Sequence, residues 1–170
     1  FHFYLKNKVD LSKNKKIHIN AKSLNLNIIN ESSKEKSDLI YGKNTISFLN
    51  SKFDTNYKID DDKIYFSSNS STLKNAKVEY VGQLSINPFD LDLKIDLGNF
   101  KISRLINFNS ILTEFINTGL LFNDNISMSA SLNVDSNINK EIFQAANIKF
   151  NINNGKINLD KTKLINKKIG

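Results

Sequence analysis

Apolar and polar residues alternate with a period of two along most of the chain, the spacing of strands with one apolar and one polar face. From Val78 the apolar residues occupy even positions, Val78, Tyr80, Leu84 and Ile86, with Gly82 in phase. After Pro88 they move to odd positions, Phe89, Leu91, Leu93, Ile95 and Leu97. A change of parity at Asn87-Pro88 needs a turn or a bulge, and proline has no N–H to give to a central ladder. A hairpin is predicted there.

The same signal recurs on both sides of this stretch. Ile17, Ile19 and Ala21 alternate in one phase and Leu24, Leu26 and Ile28 in the other, which predicts a bend near Lys22-Ser23. Ile46 and Phe48 form a short run, and Tyr57/Ile59 and Ile64/Phe66 flank the turn Asp60-Asp61-Asp62-Lys63. Ile126 to Val134 and Ile148 to Ile152 alternate in turn, and Ile157/Leu159 resume in the opposite phase after Asn154-Gly155. Asn-Gly between alternating runs predicts a hairpin, because both central residues of its turn need positive φ. The polar stretch Asn30 to Lys36 reads as a loop, and the whole as an antiparallel meander.

One segment departs from period two. Leu105, Ile106, Phe108, Ile111, Leu112, Phe115, Ile116, Leu120 and Leu121 recur at spacings of three and four, with Ser103 placed as an N-cap. An amphipathic helix is predicted over about 103–121, and core packing is its plainest role. No Pro- or Gly-rich linker interrupts the pattern, so residues 1–170 read as a single β-rich module.

Roughly nine strands at about 4.8 Å each make a sheet about 43 Å wide, and one helix covers about two strands of it. The remaining apolar side chains need another partner. Either the sheet closes on itself as a sandwich or barrel, or it curls into an open trough that meets an apolar ligand. Periodicity alone leaves both open.

Composition narrows the chemistry. The 170 residues have no cysteine, which excludes disulfides, thiolate metal sites and cysteine nucleophiles. His2 and His18 are the two histidines, and His18 points away from the face of Ile17 and Ile19. Asp60-Asp61-Asp62 lacks the spacing, glycine and terminal Glu of a calcium loop and reads as a solvated turn. Asp90, Asp92 and Asp96 alternate with Lys94 as the wet face of a strand. No phosphate loop, nucleophile elbow or zinc spacing occurs, so no catalytic residue, metal site or cofactor is expected. The formal net charge is +7, but a single Arg accompanies lysines scattered among 27 asparagines, the excess expected of an AT-rich bacterial genome. Nucleic-acid binding is not expected from such a dispersed pattern. No run of 18 apolar residues is present, and the chain opens at Phe1 and closes at Gly170 in mid-pattern. A fragment of a longer protein is expected, with any signal or anchor outside it.

The order of elements over residues 77–170 resembles the C-terminal region of AsmA-like proteins, the superfamily that includes the TamB and YhdP relatives. The stretch from KVEYVGQLSINPFDLDLKIDLG through the amphipathic segment to NISMSASLNVD carries it. The closing IKFNINNGKINLDKTKLINKKIG, with its Asn-Gly turn, carries the rest. Residues 1–76 match only as alternating strands. The resemblance implies a mainly β fold, an antiparallel meander forming a curved, open groove-like sheet with one helix. It implies a non-enzymatic envelope module in the periplasm, anchored to the inner membrane through a segment outside this chain. There it would bind or conduct phospholipid and support outer-membrane biogenesis. Val78, Tyr80, Leu84, Ile86, Phe89, Leu91, Leu93, Ile95 and Leu97 would line the groove for acyl chains, and the remainder of the parent chain would be a partner. The alternative is a self-contained structural or adhesive β-sandwich with no lipid ligand.

Overall fold

The computed structural model describes residues 3–9, 14–34, 39–74, 76–103, 126–136, 142–159, 161–166 and 169. The protein is mainly β, its sheet open and mostly antiparallel. The chain divides into two compact units, Phe1–Gln83 and Leu84–Gly170, where the sequence gives no sign of a boundary. The division falls inside a strand, so no linker composition marks it.

The first unit holds β1 (Phe3–Val9), β2 (Asn14–Ala21), β3 (Leu26–Lys34), β4 (Ile40–Phe48), β5 (Ser51–Asp60), β6 (Lys63–Leu73) and most of β7 (Ala76–Ser85). They lie side by side in chain order, and β1 to β6 are antiparallel. A short 3-10 turn, Lys22–Leu24, makes the bend between β2 and β3, and Asn25 leaves it in the left-handed region at φ 48°. The Asp61-Asp62 turn joins β5 and β6 as expected, with Asp60 opposite Lys63. Asn30 to Lys34, expected as a loop, belongs to β3. Its residues pair with Asn44 to Ile40 on one side, and Asn30 to Ser33 pair with Ile17 to Asn14 on the other. A strand hydrogen-bonded on both edges stays extended whatever its side chains prefer, since tertiary pairing outweighs β-propensity.

A bulge interrupts β6. The register against β5 shifts by one residue between Lys52/Thr72 and Asn56/Ser67. There the Asp54 N–H donates to Ser71 Oγ at 3.0 Å, and Ser71 Oγ lies 2.6 Å from Ser68 Oγ. Both serines are buried. A bulge leaves part of the ladder unpaired, and here buried hydroxyls take over the hydrogen bonding.

The second unit contains β8 (Phe89–Gly98), β9 (Ile126–Asp135), β10 (Ala145–Asn153), β11 (Lys156–Asn158) and β12 (Lys163–Ile165). The turn Ile86–Pro88 precedes β8. The Asn154-Gly155 turn joins β10 and β11 with φ of 48° and 66°, as the dipeptide predicts. The antiparallel meander is corrected at one place: β8 and β9 are parallel, in register from Phe89↔Ile126 to Gly98↔Asp135. Parallel neighbours need a long crossover between them, and residues 99–125 supply its length. The helix expected over 103–121 lies outside the described residues from 104 onward.

The outer edge of β10 is occupied along its length. β12 pairs with Ala145–Asn147 and β11 with Asn151–Asn153. Between them, Thr162 Oγ1 accepts from the Lys149 N–H at 3.3 Å and donates to the Lys149 carbonyl at 3.4 Å.

Candidate functional site

Register decides which side chains share a face. In the second unit, Leu97 lies beside Val134, which lies beside Ala146. The next rows are Ile95–Leu132–Ile148, Leu93–Ala130–Phe150 and Leu91–Met128–Ile152, and Phe89 lies beside Ile126. Fourteen apolar side chains therefore cover one face of β8, β9 and β10 without a polar interruption. The opposite face is polar in four rows, Asp90–Ser127, Asp92–Ser129–Asn151, Lys94–Ser131–Lys149 and Asp96–Asn133–Asn147, and ends in Gly98–Asp135–Ala145. There Asn133 Nδ2 donates to Asp96 Oδ1 at 2.6 Å, and Asn147 Nδ2 donates to Asn133 Oδ1. Of the fourteen apolar residues, Leu97, Val134, Ala146 and Ile152 are buried, nine are half-buried, and Phe89 is 38% exposed. A ten-residue strand runs about 33 Å, twice the ~15 Å hydrocarbon depth of one membrane leaflet.

The predicted lining residues fall into separate groups. Phe89, Leu91, Leu93, Ile95 and Leu97 share the apolar face just described. Leu84 is half-buried near the end of β7, but Ile86 lies in the turn beyond the strand and is 63% exposed. It is corrected from a strand-face position, because β7 stops at Ser85. Val78 and Tyr80 belong to the first unit, where Val78 is buried and the Tyr80 ring meets Phe66 with centroids 6.4 Å apart.

The first unit has its own apolar face. Leu26 lies beside Phe48; Ile19, Ile28, Ile46 and Phe53 form the next row; Ile40, Ile59 and Ile64 form another further along. Between them runs a polar belt that the sequence reading missed. Tyr57 OH donates to Asn30 Oδ1 at 3.0 Å, Asn44 Nδ2 approaches the same oxygen at 3.5 Å, and Thr55 Oγ1 lies 2.5 Å from Tyr80 OH. The available signal was Asn30, Asn44 and Thr55 falling in the apolar phase of three successive strands. Tyr57 reaches Asn30 by crossing Gly42, its cross-strand neighbour, over which its ring lies.

The other face of the first unit is charged and hydroxylated. His18 Nε2 donates to Asn27 Oδ1 at 2.5 Å, and Lys16 pairs with Glu31. Asp54 accepts from Thr45 Oγ1 at 2.6 Å and pairs with Lys52 at 2.7 Å. The Lys52 ammonium first, then the Thr45 hydroxyl, hold the Asp54 carboxyl below its ordinary range. Lys58 sits between Tyr41 and Tyr65 in the cross-strand row, 3.0 Å from Asp60 and 5.9 Å from the centre of the Tyr65 ring. Its pKa is raised, chiefly by the hydrogen bond to Asp60. Tyr41, Lys58 and Tyr65 border a shallow hollow of about 330 Å³ over Asn56 and Ser67. Asp61 and Asp62 are exposed in their turn, and no group of three or more potential metal ligands occurs among the described residues. No helix among the described residues is long and apolar enough to cross a membrane. No family model, curated protein or solved structure matches the chain.

Proposed function

We propose that this chain is a non-catalytic, AsmA-like lipid-handling module that holds or conducts phospholipid acyl chains along its apolar β-faces. The observation that carries this reading is the three-strand face of β8, β9 and β10. It is apolar across every row and polar in all but the last row of its reverse, and nine of its side chains remain half-buried. An acyl chain laid along it gains about 0.8 kcal/mol for each methylene taken from water, with no bond made or broken. In this reading the sheet curves into an open groove. The module works in the periplasm, held at the inner membrane through a part of the protein outside this chain, in support of outer-membrane biogenesis.

Native mass spectrometry of the purified chain, followed by solvent extraction and lipid analysis, tests this. Phospholipid bound at a defined stoichiometry is the expected result. A folded, lipid-free monomer defeats it and favours a self-contained structural or adhesive β-sandwich. That second reading draws on the near-complete burial of Val134, Ala146 and Ile152.

A further inference from the structure

Among the described residues, Asn44 Oδ1 is the one buried side-chain polar atom with no hydrogen-bond partner. A buried acceptor left unmatched is costly, and native proteins keep few of them. Turning the Asn44 amide over does not help, because two carbonyl oxygens would then face each other and the amide nitrogen would be the orphan. Directly across the ladder from Asn44 stands Thr55. Its hydroxyl and that of Tyr80 share one hydrogen bond at 2.5 Å, so the pair keeps a second hydrogen to donate. An acceptor and a donor thus sit side by side between two apolar rows. The belt of Asn30, Asn44, Thr55, Tyr57 and Tyr80 contains no charged side chain, which suits a neutral group and not a phosphate.

We propose that this belt receives the neutral hydroxyl or amide of an acyl-chain ligand. Asn44 Oδ1 accepts the ligand's hydrogen, and the Thr55–Tyr80 pair donates to its oxygen. The proposal rests on the lipid-handling reading and deepens it by naming what the first unit selects in an amphiphile.

The test compares 1-monooleoylglycerol, which has free hydroxyls, with methyl oleate, which has none. Each displaces a fluorescent fatty acid from the whole chain. The wild type is expected to bind monooleoylglycerol about five- to tenfold more tightly, the range one net hydrogen bond supplies. Asn44→Leu should erase that preference and keep the affinity for methyl oleate. This variant removes an unmatched polar atom and should fold at least as stably as the wild type; Thr55→Val gives an independent check from the donor side. Equal binding of the two probes by the wild type, or a preference that survives Asn44→Leu, overturns the belt and leaves the apolar-face reading standing. Failure of both probes to bind brings down both.

Discussion

Gly42 offers the sharpest test of packing in the first unit. Its φ is not in the left-handed region, so the backbone there accepts any L-residue. What it lacks is space. A Cβ built on Gly42 would lie 2.2 Å from Tyr57 Cζ, 2.3 Å from the hydroxyl oxygen and 2.7 Å from Cε1. Non-bonded carbons rest at about 3.5–4.0 Å, so in Gly42→Ala the ring must retreat by more than an ångström. The Tyr57–Asn30 hydrogen bond, at 3.0 Å, cannot survive that movement. Overpacking costs about 1–3 kcal/mol and the lost hydrogen bond about 1 kcal/mol, against a gain of about 0.5–1 kcal/mol for replacing glycine in a strand. The net loss is therefore about 1–3.5 kcal/mol. In a Tyr57→Ala background the obstacle is gone, and the same change should be neutral or stabilising by about 0.5–1 kcal/mol. Urea unfolding of the four chains in a double-mutant cycle should give a coupling of at least about 2 kcal/mol. Equal costs for Gly42→Ala with and without the Tyr57 ring would refute the reasoning.

Other perturbations follow from single features. Ser71→Ala leaves the buried Asp54 N–H without its acceptor and should cost about 1–3 kcal/mol in chemical unfolding, and a loss below the error of the fit would mean the bulge needs no hydroxyl. Leu49 turns between β4 and β5 at φ 51° and is 65% exposed, so Leu49→Gly should raise stability by about 1 kcal/mol, seen as a higher Tm; a lower Tm contradicts it. The Asp54 carboxyl is lowered in the folded state, so its contribution is complete above the unfolded value of about 3.9 and is lost as pH falls through the folded one. The stability gap between wild type and Asp54→Asn should therefore hold near neutrality and shrink below about pH 4, and a gap independent of pH argues against the lowered carboxyl. Leu93→Asp, in the middle of the second unit's apolar face, should abolish lipid co-purification at a cost of about 1–2 kcal/mol, since Leu93 is only half-buried. Unfolding of that variant with no change in bound lipid would count against the groove.

Alternation made the strands legible because one side of each is polar. Asn154-Gly155 and Asp61-Asp62 marked their turns through the backbone conformations they accept. Period two reports the face of a residue and says nothing of strand direction, so the parallel β8–β9 pair was not visible in it. The three-residue strands β11 and β12 are too short to display any period. The β6 bulge falls in a run of serines, Ser67 to Ser71 broken only by Asn69, where no apolar residue records the change of parity. The lining residues Phe89 to Leu97 were readable as one face, whereas their neighbours Met128, Leu132 and Phe150 needed the register to be known. The polar belt was hidden for the same reason: Asn30, Asn44 and Tyr57 converge only when three strands are aligned.

The arrangement on the far side of β10 has a consequence for assembly. Edge strands are where sheets recruit further chains, because unpaired N–H and C=O groups template a newcomer. In the second unit that invitation is withdrawn by the protein's own residues 156–165, including one threonine hydroxyl that answers both polar groups of Lys149. A strand arriving there would first have to strip these bonds away. Strand addition directly onto β10 is thus blocked from within the chain, and the edge left on this side is reduced to the three-residue strands β11 and β12.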